Sequence, residues 1–499
     1  MIEYIIGGYA VAISLRAILN YIRGIASLSE ILNQREQLRK MGSVQSPPLT
    51  IRFVILLPML REQLEVVGLL ERMDRFAYLP DHVILVPITT QRELAENKQR
   101  RDVATRLIDD LTAGKLSLAK KWRYSKYFSP DLLNKLQTKK AKEAEQELAK
   151  SIDSLTTQEV LTNLLKRWRP RSRVIPLHCP NEEGNKAAQM NFALKTLRRM
   201  GIVESECETY IGVYDADSAP DPFTLNAISS WVNNHKKKPL AFQQYPIYLR
   251  NYQRLGSIMR NEAVLQTAHS LCVEYPRQTR VNLAINARRI AGPTFTYCIG
   301  HGVFFRSDWL FSSEFPEKPP VEDLSIGFML SLGEKRVETL PFFDLCTVPS
   351  GIEAFIRQTA IWFDAQLEFR DVVNSARRNF HDVRSARVIR GVGEQVFTNA
   401  KWLLAGPFRI LAFAFGILGF HWVLVAALMG SWFLESRLEW SVTSRLESQL
   451  SRVGQSPVFN WMAIFRPILK SCGPCLVAVN RLFGRQMIHA KTERTLSSS

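Results

Sequence analysis

The chain has 499 residues, 46% of them hydrophobic, and 65 Lys and Arg against 47 Asp and Glu leave a formal net charge of +18. Such length and apolar content exclude a disordered tail or a disulfide-stapled mini-domain, and predict two or three folding units at ~100–200 residues each. Seven scattered Cys are not the dense framework of a small secreted domain, so a reducing compartment is expected; the charge by itself suits nucleic acid, anionic lipid or a polyanionic substrate.

Met1 to Ile22 is apolar apart from Glu3, Arg16 and Asn20 and lacks the basic start of a signal peptide, so residues 1–25 are expected to form a spanning or interfacial helix. IRFVILLPM (51–59) and HVILVPITT (82–90) are short apolar runs around a helical stretch from Gln63 to Ala77. That βαβ spacing predicts a parallel sheet and an α/β fold. Gln91 to Trp168 turns Lys-, Arg-, Glu- and Gln-rich with helical spacing and reads as a helical insertion. Its one compact basic and aromatic group is Lys120, Lys121, Trp122, Arg123 and Tyr124, and acidic residues interrupt the rest, so no nucleic-acid partner is expected. Strand signals resume at RVIPLHCP (173–180) and YIGVYDAD (210–217).

The second of these strands runs directly into Asp215-Ala216-Asp217. Two carboxylates converging at a strand end suit a hard divalent cation, whereas capping of the next helix, the alternative role, falls equally well to Asp221. Upstream, Gly184-Asn185-Lys186 places a cation and backbone amides at a helix start, where a phosphate would sit. Downstream come CIGHGVFFR (298–306), with His301 between two glycines, and PVEDLSIGFML (320–330), opening a helix with Glu322-Asp323. Carboxylates there are favoured by the helix dipole whether or not they do chemistry. RQTAIWF (357–363) follows on another helix.

From Ile410 to Leu434, 25 residues carry His421 as their only titratable side chain, enough to span a hydrocarbon core of roughly 20 helical residues. Pro407, Gly416 and Gly419 leave a re-entrant hairpin from near Trp402 open. Arg377, Arg378, Arg384, Arg387, Arg390, Lys401 and Arg409 upstream put that flank in the cytoplasm by the positive-inside rule. Val458 to Arg481, broken by Arg466 and Lys470, reads as an amphipathic surface helix. Its Cys472-Gly473-Pro474-Cys475 spells a thioredoxin-type tetrapeptide but lacks the surrounding βαβ unit, so a helix break or lipid attachment is expected there rather than redox chemistry.

Taken in order, these elements resemble the family 2 glycosyltransferases of the GT-A fold, in the membrane-integrated branch of cellulose, hyaluronan and ceramide glycosyl synthases. The resemblance covers roughly Ile51 to Ala365. It implies a Rossmann-like, mostly parallel catalytic domain at 50–370 with the insertion at 91–168, a transmembrane or re-entrant segment at 400–435 and an amphipathic tail at 436–499. It also implies a nucleotide-sugar donor and Mg2+ or Mn2+ on Asp217 and Asp215. Lys186, Asp215, Arg357 and Gln358 are then expected around the donor diphosphate, Trp362 and His301 at the acceptor, Asp323 as catalytic base and Glu322 beside it. The implied activity is inverting transfer to a lipid or glycan acceptor at the cytoplasmic membrane face. Two departures stand out: the second strand ends in Thr89-Thr90-Gln91 where the family carries a base-reading Asp, and Ile361 replaces the Arg of QxxRW. Ile neither neutralises charge nor makes a bidentate contact, which keeps a catalytically impaired membrane scaffold as the alternative.

Overall fold

The structure is a computed structural model. It describes residues 2–42, 51–117, 120–121, 124, 127–128, 130–139, 141–152, 155–202, 208–287, 295, 297–318, 321–450 and 466–484; Trp122, Arg123 and the stretch 451–465 lie outside these.

Eight strands form one sheet: β1 (Arg52–Pro58), β2 (Val83–Thr90), β3 (Arg173–Val174), β4 (Leu177–Cys179), β5 (Thr209–Val213), β6 (Ala241–Ile247), β7 (Val303–Arg306) and β8 (Val337–Leu345). The order is β3-β2-β1-β5-β7-β6-β8, with β4 also on β2, and every pairing is parallel except those of β7. β1 and β2 are buried along almost their whole length because both faces are covered, which explains their continuous apolar runs. Side chains alternate across β1. Val54 and Leu56 pack on one side with Ala187, Met190 and Leu194, while Phe53, Ile55 and Leu57 pack on the other with Val66, Leu69 and Leu70. Each such buried aliphatic contributes about 1.5–3 kcal/mol.

The described helices of eight or more residues are, in chain order, α1 (Ile2–Gly42), α2 (Val66–Met73), α3 (Arg92–Thr112), α4 (Pro130–Gln137), α5 (Ala141–Ile152), α6 (Thr157–Arg167), α7 (Lys186–Arg199), α8 (Thr224–Asn234), α9 (Ser257–His269), α10 (Tyr275–Asn286), α11 (Glu322–Leu332), α12 (Ile352–Ala365), α13 (Phe369–Asn379), α14 (Ser385–Leu418), α15 (Trp422–Leu450) and α16 (Arg466–Leu482). Helices α3 to α6 fill the stretch between β2 and β3. Leu107, Phe128, Leu136 and Leu148 build a small core there, separate from the sheet, and α6 starts on a Thr156–Glu159 capping box.

Two helical segments, Ile6–Lys40 and Ser385–Leu418, are long and apolar enough to cross a membrane. They are not uniform. The first half of α1 exposes Val11, Leu15 and Ile22, whereas Leu28 and Ile31 are fully buried in a cluster shared with β6, α9 and α15. The run Ile410 to Leu434, read from hydropathy as one span, is divided between α14 and α15. Gly419 and Phe420, with φ of 57° at Phe420, end the first helix, and the amides of Gly419 and His421 bond back to Phe415 and Gly416. The segment is the turn of a hairpin between two long helices, with Trp402 inside the first. Helix α16 packs against α12 and α14: Trp402 Nε1 donates to the Lys470 carbonyl at 2.9 Å.

Candidate functional site

The chain leaves β1 for β2 on one side and later enters β5 on the other, so the strand order reverses between β1 and β5. Open α/β sheets form a crevice outside the carboxyl ends of their strands at such a point. Asp215 lies two residues beyond the end of β5, at that crevice.

Three elements bring charge to it. Asn185 caps α7 by accepting from the Ala188 amide at 3.0 Å, which sets Lys186 as the first helical residue. The Lys186 ammonium donates to Asp215 Oδ1 and to the Gly300 carbonyl, each at 2.7 Å, and stands 3.3 Å from Glu322 Oε1. Glu322 and Asp323 open α11, where the Leu324 amide donates to Asp323 Oδ1 at 2.8 Å. A Cβ on Gly300 would stand 2.8 Å from Asp323 Oδ2 and 3.3 Å from Lys186 Nζ, so this glycine is the floor on which both side chains rest. Gly302 has φ of +66°, a conformation that favours glycine, and its amide and carbonyl tie the loop to Val213 and Gln244.

The charges perturb one another. Burial alone would lower the Lys186 ammonium, but Asp215, then Glu322 and Asp323, more than reverse this and hold it above its usual range. Burial, reinforced by the Glu322 carboxylate and opposed by Lys186, pushes Asp323 up to about 7. A half-buried carboxyl poised near neutrality in a strand-end crevice can exchange a proton at working pH.

Asp217 is placed differently. Its Oδ2 accepts from the Thr347 amide at 3.0 Å and hydroxyl at 2.6 Å, and the residue is buried. The turn around it is held from below by Arg72, which donates to the carbonyls of Ala216 and Ser218, and by Arg250, which donates to that of Asp217. Glu65 bonds both arginines. Asp221 Oδ1 accepts from the Phe223 amide just ahead of α8, whose N-cap residue, Phe223, makes no side-chain cap bond. Asp221 also receives Arg35 at 2.7 Å and Arg39 at 2.8 Å from α1.

His301 is buried, with Nδ1 2.8 Å from Asp344 Oδ2, and Cys346 Sγ lies 3.4 Å from the same nitrogen. These three could together offer ligands to a metal, but their hydrogen bonds to one another already account for the grouping. Burial would lower the imidazole; the bond to Asp344 and the fields of Asp344, Asp215 and Asp217 raise it instead. His301 is thus fixed by a fully buried carboxylate, Asp344. For a divalent cation the donor set on hand is Asp215 and Asp217, hard oxygens that match Mg2+ or Mn2+ better than a soft metal.

Arg357, Gln358 and Trp362 belong to α12, a separate element. Arg357 pairs with Glu353 one turn earlier, and Trp362 is half-buried. At the end of β2, where an acidic residue was expected by resemblance, Thr89 Oγ1 is 2.9 Å from His178 Nδ1 and Gln91 Oε1 is 3.1 Å from His178 Nε2.

No family model matches the chain and no curated protein matches it. Among solved structures, the mannosyltransferase PcManGT from Pyrobaculum calidifontis, in complex with GDP-Man and Mn2+, is similar with a TM-score of 0.42 and 11% identity, over 96% of this chain and 100% of that one. TarS 1–349 from S. aureus in complex with UDP-GlcNAc gives a TM-score of 0.35 and 10% identity, over 90% and 97% of the two chains. Superpositions this loose carry no argument about the site, which stands on its own geometry.

Proposed function

We propose that the chain is an inverting glycosyltransferase that moves a sugar from a nucleotide-sugar donor to a lipid or glycan acceptor at a membrane face. One observation carries the reading: Lys186, Asp215, Glu322 and Asp323 meet beyond the end of β5, with the Asp323 carboxyl raised to about 7. A nucleoside diphosphate leaving group needs positive charge beside it, and an acceptor hydroxyl needs a base on the opposite side of the sugar. Asp215 and Asp217 would hold Mg2+ or Mn2+, whose charge would offset that of the departing diphosphate. Lys186 binds and orients the same phosphates. Asp323 takes the acceptor proton as the acceptor oxygen bonds to the anomeric carbon and the bond from that carbon to the diphosphate oxygen breaks, releasing the nucleoside diphosphate and inverting the anomeric configuration. Glu322 keeps Asp323 basic enough for that step. Gln358 and Arg357 remain candidates for the donor side, Trp362 and His301 for the acceptor side.

The test is purified full-length chain with radiolabelled nucleotide sugars, lipid extract and Mn2+. Transfer or donor hydrolysis that Asp217→Ala abolishes supports the enzyme. Ile361 in place of a cation on α12 favours the second reading, a membrane scaffold built on the same fold. Donor binding without turnover in every condition would establish that instead.

A further inference from the structure

Away from the crevice, three helices bring cations to one place. Lys401 of α14 has Arg16 of α1, Lys470 of α16 and Arg409 of its own helix within electrostatic range, together with Glu435 of α15, and Lys470 also has Glu274 within range. Arg409 already holds both oxygens of Glu435, at 2.9 and 3.2 Å. Among the described residues no carboxylate forms an ion pair with Arg16, Lys401 or Lys470. The meeting is built rather than incidental. Trp402 Nε1 and the Lys470 carbonyl are joined at 2.9 Å, Ser471 Oγ bonds both the Trp402 carbonyl and the Gly406 amide at 3.0 Å, and Tyr9 packs edge-on to Phe408.

Like charges repel, so a fold that gathers four cations near two carboxylates, Glu435 and Glu274, leaves a positive excess that an anion would lower in energy. The neighbours define its kind. Arg16 and Lys401 are exposed, and so are Val11, Leu15 and Leu19 around the first and Phe397, Leu404 and Phe408 around the second. A ligand here meets positive charge at one end and apolar surface at the other.

We propose that Arg16, Lys401, Arg409 and Lys470 form a binding site for the phosphomonoester head of a lipid whose chains lie along α1 and α14. This does not rest on the glycosyl-transfer reading. It does bear on it, because Lys470 lies within electrostatic range of Glu274, whose carboxylate is bonded by the Tyr297 hydroxyl, and Tyr297 is three residues before the Gly300 floor of the crevice.

The experiment is native mass spectrometry of the full-length chain in detergent, titrated with dioctanoyl phosphatidic acid, dioctanoyl phosphatidylcholine or inorganic phosphate. The expected result is retention of phosphatidic acid in preference to phosphatidylcholine. Charge-assisted phosphate contacts of this kind should make Lys401→Gln with Lys470→Gln bind about tenfold more weakly or worse. Exposed Arg16→Gln, which disturbs no packing, should weaken retention as well. Lys401→Arg with Lys470→Arg should retain the lipid. Unchanged retention in the glutamine pair, equal retention of phosphatidylcholine, displacement by equimolar inorganic phosphate, or loss of binding in the arginine pair would each overturn the proposal. Catalytic activity enters none of these readings, so their failure is distinguishable from failure of the proposed function.

Discussion

Lys186 and Asp215, 29 residues apart in sequence, meet at 2.7 Å because the first opens a helix and the second follows a strand on the same edge of the sheet. The same ammonium reaches Glu322 at 3.3 Å and shares the Gly300 floor with Asp323. One cation therefore serves three carboxylates, and the testable consequences follow from removing or unbalancing one member.

Asp323→Asn keeps the shape of the side chain and removes its basicity. Turnover should fall by about 10²–10⁴, the usual worth of a positioned base, while donor affinity stays nearly unchanged. Calorimetric donor binding beside single-turnover transfer separates the two, and an equal loss in both would make Asp323 structural.

Asp323, raised to about 7 by burial and by Glu322, must lose its proton to act, so kcat/KM should fall as pH drops below about 7 rather than below about 4. Glu322→Gln removes a neighbouring negative charge, eases ionisation of Asp323 and should move this acidic limb to lower pH. Lys186→Gln removes the opposing positive charge and should move it higher. pH–rate profiles of the three proteins check both signs.

How much of this was legible beforehand differs by residue. The strands 51–59 and 82–90, the helical block after them and the Lys186, Asp215 and Glu322-Asp323 elements were readable, because period, turn residues and charge at helix starts are local signals. Arg72, Arg250, Glu65 and Thr347 were not. Apart from the Arg72–Glu65 pair, their partners lie far away in sequence, Ala216 and Ser218 for Arg72, Asp217 and Glu65 for Arg250 and Asp217 for Thr347, which no local pattern encodes. The division of 410–434 into a hairpin was half-legible: Gly419 was visible, but a positive φ at Phe420 has no sequence mark. Arg35 and Arg39 offered a spacing of one helical turn, yet only the fold shows that Asp221 lies opposite.

That last contact gives another prediction. Arg35→Ala leaves the Asp221 carboxylate, fully buried at its side chain but for 4%, with Arg39 as its remaining ion-pair partner. Breaking a buried pair this way should cost about 3 kcal/mol of stability, and Arg35→Ala with Asp221→Asn should recover part of it. Chemical denaturation of the detergent-solubilised chain measures both.

The Cys472-Gly473-Pro474-Cys475 tetrapeptide has a packing explanation. A Cβ on Gly473 would stand 2.3 Å from Thr359 Oγ1 and 2.7 Å from the Ala360 amide, so this glycine lets α16 press onto α12. Burial pushes the Cys472 thiol up, the opposite of a reactive thiolate. Gly473→Val should lower the melting temperature, whereas Cys472→Ser with Cys475→Ser should leave both stability and transfer close to wild type. Differential scanning fluorimetry with the transfer assay distinguishes them.

The most direct measurement is an electron cryomicroscopy map of the full-length chain with a saturating nucleoside diphosphate and Mn2+. The account predicts density for the diphosphate and cation beside Asp215, Asp217 and Lys186, outside the carboxyl ends of β1 and β5, with Asp323 across the crevice from it. A nucleotide bound elsewhere, or that crevice empty at saturation, would contradict it.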